Sequence, residues 1–593
     1  MATDAQPRLL PTLVSDDPKQ AERSAAIARN RDSYRFVHDW PTAVATNSVL
    51  PSEQDYGAQY IEKSLPIYAE IAGNYALLAT ELSLEMLGDA VLDRMSNLLH
   101  SDHHAAFKSH IFQSVRDRLD HFNDTPPQRL EDYQSFFQAL PEPPVVAHVN
   151  NLATLGDAVA WQRIAGCNPT LLSRCDRIPP HFAVTPSHYV AAMGASDSLE
   201  AARQEGRLFI ADYALLDGVD CGITHGLQKY LAAPMALYAI DRVERRLRAV
   251  CVQTGQVPSV YPVATPADGW LWRMANLCVQ VADANHHEAS AHLGRTHLVM
   301  EAAVVAMKNA LAPNHPVAVL LAAHTRTTLA INHSAKTDLI APGGIVESTF
   351  APRIRAFGSL VHGALQGYRL DSADPRSDLG ARGLLDADTL PQHPYRDDAL
   401  PLWDALLDFV NDYVGLYYPD DAHVANDAEL QDFVRLLSAP EGGRLAGVPT
   451  VQHTQALAHL LATLVFIATA QHSAVNFSQY DYMSYSPNMG GALYAPPPTA
   501  KTPTTEAAYM ALLTPRKAAV NSASFVYLLS HVRVSQLGDY PAGTFNDPHV
   551  APILSRLHDR LLQLEQDSKA RDAGRFLSYP YLRPSLVLQS ISI

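Results

Sequence analysis

A single large, mainly α-helical domain with a few short strands is predicted on three observations. Apolar residues recur at three- and four-residue spacing over long stretches from about Tyr60 onward, as amphipathic helices require. Strand-like runs are few and short. No internal repeat, low-complexity linker or shift in composition divides the 593 residues, although chains of this length usually split into several domains.

Taken in order, residues 1–30 are polar and contain proline, and are expected to form an N-terminal tail or an outer strap. Residues 31–593 form the main domain. Helical spacing covers Ile61–Gly88, Ala201–Ala214, Trp270–Leu311 and Glu506–Val534, while Leu208–Ile210 and Arg245–Gln253 read as short strands. The breaks PEPP (141–144), IPP (178–180) and APPP (495–498) separate helices, since proline cannot continue one.

Composition narrows the function. The chain is 47% hydrophobic and 18% charged, enough apolar material for a large core. With 45 basic and 61 acidic residues the net charge is −16, which argues against nucleic-acid binding through clustered Lys and Arg. An anionic ligand would need a local basic partner. The five cysteines, at 167, 175, 221, 251 and 278, show no CxxC pairing, so reduced thiols in a cytoplasmic protein are expected rather than disulfides or a zinc site. The N-terminus shows no secretory pattern. The apolar run Ala456–Ala470 is short for a bilayer span and contains His459, so it reads as a buried helix. Peripheral contact with lipid and the oligomeric state are left open.

Histidine spacing carries the chemistry. His287, His292 and His297 fall five residues apart, followed by His315 and His324. On a regular α-helix, residues five apart diverge by roughly 140°, which suits one metal poorly. A π-type turn, bonded i to i+5, returns them to one face. A π-bulge is therefore predicted between His292 and His297. The zinc-protease pattern HExxH fails, because His287-Glu288 is followed by His292 rather than by a histidine four residues on. Downstream, His472 and Asn476 share a helix face, and Gln479 lies within reach of the Asn476 amide. The chain ends in SISI, and a terminal carboxylate is ionised at neutral pH and able to bind metal. Three imidazoles, an amide oxygen and a carboxylate form a mixed N/O set suited to iron or manganese, with one position left open.

These features together resemble the lipoxygenases, from about residue 50 to the end. The histidine spacing, HP at 315–316, IN at 331–332, AWQRIAGCNP at 160–169, GRLFIADYALL at 206–216, HSAVNFSQYDY with PN at 487–488, and the terminal SISI all carry the likeness. The resemblance implies a lipoxygenase-type helical catalytic domain over 31–593, similar to a compact bacterial-type member without an N-terminal β-sandwich. It implies one non-haem iron per chain, held by His292, His297, His472, Asn476 and the carboxylate of Ile593, with manganese as the alternative metal. Glu288, His287 and Gln479 would support those ligands, and His315 and His324 would stand outside them. The implied reaction is insertion of O₂ into the cis,cis-pentadiene of a polyunsaturated fatty acid to give a hydroperoxide.

Selectivity is also implied by resemblance. Ala335 stands where members making S hydroperoxides carry Ala and R-specific ones carry Gly. Thr349 and Phe350, in GGIVESTF, match a pair at the pocket floor that favours methyl-end entry and oxygenation at C13 of linoleate. Leu339, Val346 and Leu529 match apolar pocket positions, and Arg326 is a candidate partner for the fatty-acid carboxylate. Met489 follows PN where plant members often carry Arg, which weakens a carboxylate-first orientation and with it 9-oxygenation. A lipid-binding protein without catalytic activity is the rival from another class, and the full set of candidate ligands argues against it.

Overall fold

The computed structural model describes residues 10–40, 43–78 and 126–593. Its centre is a continuous helical rod made of an α-helix, Trp270–His286, a π-helix, His287–Leu298, and a second α-helix, Val299–Ala310. Every residue from Trp272 to His286 is buried, as expected of a helix surrounded by others. A second buried rod runs from Thr454–Phe466 through a π-turn, Ile467–Gln471, into His472–Asn476. Thr454–Met483 is long and apolar enough to cross a membrane, yet 94% of its most apolar window is buried in the protein. Its apolarity serves packing: the long helix Pro394–Tyr417 lies against Thr454–Phe466 and also against Ala551–Asp572.

The predicted π-bulge is present and extended, a π-helix of 12 residues. The run Trp270–Leu311 is helical nearly throughout. Two other expectations are corrected. Ala201–Ala214 is not one helix: Leu199–Gln204 is helical, Gly206 adopts φ +68°, and Leu208–Asp212 is a strand. Pairing of that strand with Met235–Ile240 outweighs local helical spacing. Glu506–Val534 divides into Glu506–Met510 and Arg516–His531: Pro515 lacks the backbone donor that would carry one helix through the break, and it stands at the start of the second. Ile61–Gly88 begins as the helix Ala58–Leu78, and the remainder lies outside the described residues.

Five antiparallel strands, Ser173–Arg174, Leu208–Asp212, Met235–Ile240, Leu247–Gln253 and Val263–Ala264, pair in chain order. Alternation sorts their side chains. Phe209, Ala211, Ala236, Tyr238 and Ile240 join the main core, which runs from Leu13 to Ile593. Leu208, Met235, Leu237 and Ala239 face the other way into a small second cluster with Tyr189 and Phe182. Met235–Ile240 is wholly buried, and its sequence MALYAI is apolar throughout and gives no period from which to read a strand. Where a tail or strap was expected, Gln20–Ser33 is a helix on Val299–Ala310. Its buried Arg23 pairs with Asp17 at 3.0 Å and Glu429 at 2.6 Å.

Candidate metal centre

The π-helix brings His287, His292 and His297 to one side of the rod. His287 and His292 stack with centroids 5.4 Å apart. His292 and His297 meet edge to face at 4.8 Å, and their Nε2 atoms lie 3.2 Å apart. His472 closes the group from the second rod, 5.6 Å from His292 and 5.0 Å from His297 between ring centres. One ring nitrogen from each of His292, His297 and His472 lies within 4.8 Å of the others, and all three residues are buried. His287 stands apart from this trio, its Nε2 bonded to the Val475 carbonyl at 2.9 Å.

Neighbours fix the tautomers. His292 Nδ1 faces Glu288 Oε2 at 3.1 Å, and His297 Nδ1 faces Asn332 Oδ1 at 2.8 Å. A carboxylate oxygen and an amide oxygen only accept, so each Nδ1 carries the proton and each Nε2 presents a lone pair. Two such lone pairs at 3.2 Å repel unless a cation lies between them, and the spacing suits neighbouring ligands about 2.1 Å from one ion. His472 is fully buried, and neither of its ring nitrogens has a hydrogen-bond partner among the described residues. Burial, then His297 and His292, push it well below the ordinary histidine range, so the ring is neutral. An uncharged, partnerless buried imidazole carries a desolvation cost that a bound metal would remove. The donor chemistry fits iron or manganese.

Of the two further candidate ligands, Asn476 follows His472 by four residues on His472–Asn476, and Ile593 lies against the His472 ring. Asn476 is fully buried, and its Nδ2 donates to the Leu529 carbonyl at 2.7 Å while Gln479 Nε2 donates to its Oδ1 at 3.0 Å. Ile593 is 1% exposed, and its backbone oxygen faces His472, near enough to favour the protonated ring but outside hydrogen-bond geometry. The segment leading to it is held at Leu588, Gln589 and Ser590. Leu588 N donates to Ser473 Oγ at 3.1 Å, and the Gln589 carbonyl accepts from His324 Nδ1 at 3.0 Å. Ser590 Oγ donates to the Arg326 carbonyl at 2.7 Å. His315 instead caps the helix Pro316–Ala323 and pairs with Asp427 at 3.0 Å.

The stretch at 160–169 braces this centre from behind. Gln162 Nε2 donates to Asn488 Oδ1 at 2.9 Å, joining it to the PN pair. Arg163 forms a buried ion pair with Asp283 at 2.8 Å, and Asn168 Nδ2 reaches both Asp283 and His286 Nδ1 at 3.0 Å. These polar groups are anchored on the helix that feeds the π-helix.

Pocket candidates fall into two groups. Ala335 and Leu339 bound a π-turn, Val346 and Thr349 sit on Ile345–Thr349, and Phe350 follows it. That short helix packs on both the π-turn and Arg516–His531, which carries Leu529. Ala335, Val346, Phe350 and Leu529 are buried, whereas Leu339 and Thr349 are half-buried. Arg326 is exposed and lines a groove of about 780 Å³ beside Arg29, Tyr540 and Gln589. A separate cavity of about 750 Å³ is lined by Trp40, Asn47, Lys336, Ile340 and His362.

The lipoxygenase family profile matches residues 93–573. The chain belongs to the lipoxygenase family. It is 35% identical over 458 residues to the linoleate 9/13-lipoxygenase of Pseudomonas aeruginosa, covering 74% of this chain and 66% of that one. With human polyunsaturated fatty acid lipoxygenase ALOX15B it shares 32% over 441 residues, 73% of this chain and 65% of that one. Both matches thus span just under two thirds of the relatives' lengths. The crystal structure of coral 8R-lipoxygenase superimposes with a TM-score of 0.84 at 25% identity, covering 98% of this chain and 83% of that one.

Three residues linked to His297 by consecutive hydrogen bonds, Asn332, Glu301 and Lys336, are not among the sequence candidates. Asn332 belongs to the IN pair quoted for the likeness, yet its bond to His297 was not foreseen. Lys336 directly follows Ala335. Glu301 is a lone acid in the apolar run VMEAAVVAM, and a buried acid usually has a partner. Those were the available signals.

Proposed function

We propose that this lipoxygenase is a non-haem iron dioxygenase adding O₂ to polyunsaturated fatty acids, with linoleate to its 13S hydroperoxide as the principal reaction. The observation carrying the reading is the convergence of three buried imidazole nitrogens within 4.8 Å. His292, His297 and His472 would hold the metal, with Asn476 and the Ile593 carboxylate completing the set. Bound iron supplies one-electron chemistry able to take a hydrogen atom from a doubly allylic carbon. Manganese suits the same donors, and metal analysis of protein purified without added metal separates the two.

The chain's own residues hold and shield. Glu288 and Asn332 keep the Nδ1 protons of His292 and His297, so the facing nitrogens stay available as donors. Val346, Phe350 and Leu529 are buried apolar side chains, and in this reading they would exclude water and orient the pentadiene. The Ala335 methyl would screen one end of the pentadiene from O₂. Ala335→Gly should therefore shift product toward R configuration at a neighbouring carbon. Chiral chromatography of the reduced products decides it, and an unchanged product removes the stereochemical assignment.

Arg326 and Lys336 are the candidate cations for the substrate carboxylate. Lys336 is favoured because it adjoins Ala335 and connects to His297 through Glu301 and Asn332, whereas Arg326 opens onto a different groove. The relatives named linoleate 9/13-lipoxygenase and polyunsaturated fatty acid lipoxygenase support this substrate class.

A further inference from the structure

Glu301 is a buried acid that the reaction outlined above leaves unused. It follows His297 by four residues, on Val299–Ala310, and its side chain is 3% exposed. Its Oε1 accepts from Lys336 Nζ at 3.0 Å and from the Asn47 backbone N–H at 2.7 Å. Its Oε2 accepts from Asn332 Nδ2 at 2.8 Å. Asn332 in turn accepts from His297 Nδ1 and donates to the His297 carbonyl at 2.9 Å. An unbroken run of hydrogen bonds thus leads from the wall of the 750 Å³ cavity, lined by Lys336 and Asn47, to the ring of His297.

We propose that Glu301 is a positioning residue that transmits the binding of a carboxylate head group at Lys336 to the imidazole of His297. The inference rests on the reading of Lys336 as the head-group partner. Its direction follows from charge. The Glu301 carboxylate now divides its negative charge among an ammonium, a backbone N–H and an amide N–H. A ligand carboxylate drawing on the same ammonium leaves more of that charge to the Asn332 amide. The amide polarises, its oxygen accepts more strongly, and the Nδ1 proton of His297 is drawn toward it. Electron density then rises at Nε2, as when a carboxylate backs a metal-bound histidine. A richer donor favours the higher oxidation state of a bound metal, so its reduction potential falls. Burial keeps the effect from being lost to solvent screening. Lys336 is the accessible end, with a side chain 24% exposed.

Stearate provides the test, since it has the carboxylate but no doubly allylic carbon to react. Methyl stearate is the uncharged control. Binding to metal-loaded protein is measured by calorimetry and the reduction potential by redox titration. Stearate should lower the potential of the native protein and methyl stearate should not. In Glu301→Gln, stearate should bind with affinity within about threefold of native while the shift disappears. A shift of native size in that variant overturns the proposal. Lys336→Met covers the case in which Glu301→Gln fails to fold. Its potential should already be low without ligand, and stearate should bind roughly tenfold or more weakly. An unaltered potential there overturns the relay alone if stearate binding is weakened. Unaltered stearate affinity removes the head-group reading and the relay with it.

Discussion

At the scale of single residues, three histidines at the centre are distinguished from the others by what holds each ring. His292 and His297 each give a proton to an oxygen acceptor and turn a lone pair inward, while neither ring nitrogen of His472 has a hydrogen-bond partner among the described residues. His287, with the same five-residue spacing, is tied to a backbone carbonyl instead. The spacing therefore singles out the stretch, and the acceptors decide which nitrogens are free. Glu288 was legible because it lies one turn before His292, whereas Asn332 sits 35 residues from His297 and no local pattern joins them. Asn332→Ala should leave the fold in place and weaken metal affinity by about 10–100-fold, the usual effect of removing such a support. Competition with a chelator measures it, and native affinity in the variant would show that His297 orients itself unaided.

Among the elements, the π-helix matters most. Sequence spacing made its presence legible, because histidines five apart converge only with i to i+5 bonding. Its length of 12 residues was not, and neither were the π-turns at Ala335–Leu339 and Ile467–Gln471. A wider helix survives where surrounding side chains fill the altered groove, which is a tertiary condition with no local period. Gly294 illustrates that condition. A Cβ there would lie 2.9 Å from the Ala289 carbonyl and 3.6 Å from the Leu365 side chain. Gly294→Ala should cost about 1–3 kcal/mol through overpacking, and it should lower metal retention along with the melting temperature. Unchanged melting and metal content would mean that the π-helix has slack. The sheet was legible in part for a related reason: Leu208–Ile210 and Arg245–Gln253 read as strands and are strands, whereas Met235–Ile240 is set by pairing and by burial on both faces, and that pairing overrides helical spacing at 201–214.

For the whole molecule, one core binds the sites together and buries several histidines uncharged. Burial lowers His286 to about 3, and lowers His287 and His324 to about 4. Their unfolded forms take up a proton near pH 6.5, so the unfolded state binds more protons below that point and stability falls with it. Stability is full above about pH 6.5 and should decline steadily toward pH 4. Melting temperature measured between pH 8 and pH 4 checks this, and a flat profile would contradict it. Whole-chain organisation was readable from the long helical pattern and the lack of linkers; the meeting of segments near residues 290, 472 and 593 was implied by the family resemblance, and the part played by Asn332 by neither pattern nor resemblance. The central claim is that this convergence makes a lipoxygenase catalyst. The direct test is oxygen uptake with conjugated-diene formation on linoleate, comparing the iron-loaded chain ending at Ile593 with the same chain extended beyond it. Uptake by the first, with loss of both uptake and iron in the second, is the predicted result. No uptake by iron-containing protein, or equal uptake by both, would contradict respectively the proposed activity or the terminal carboxylate as a ligand.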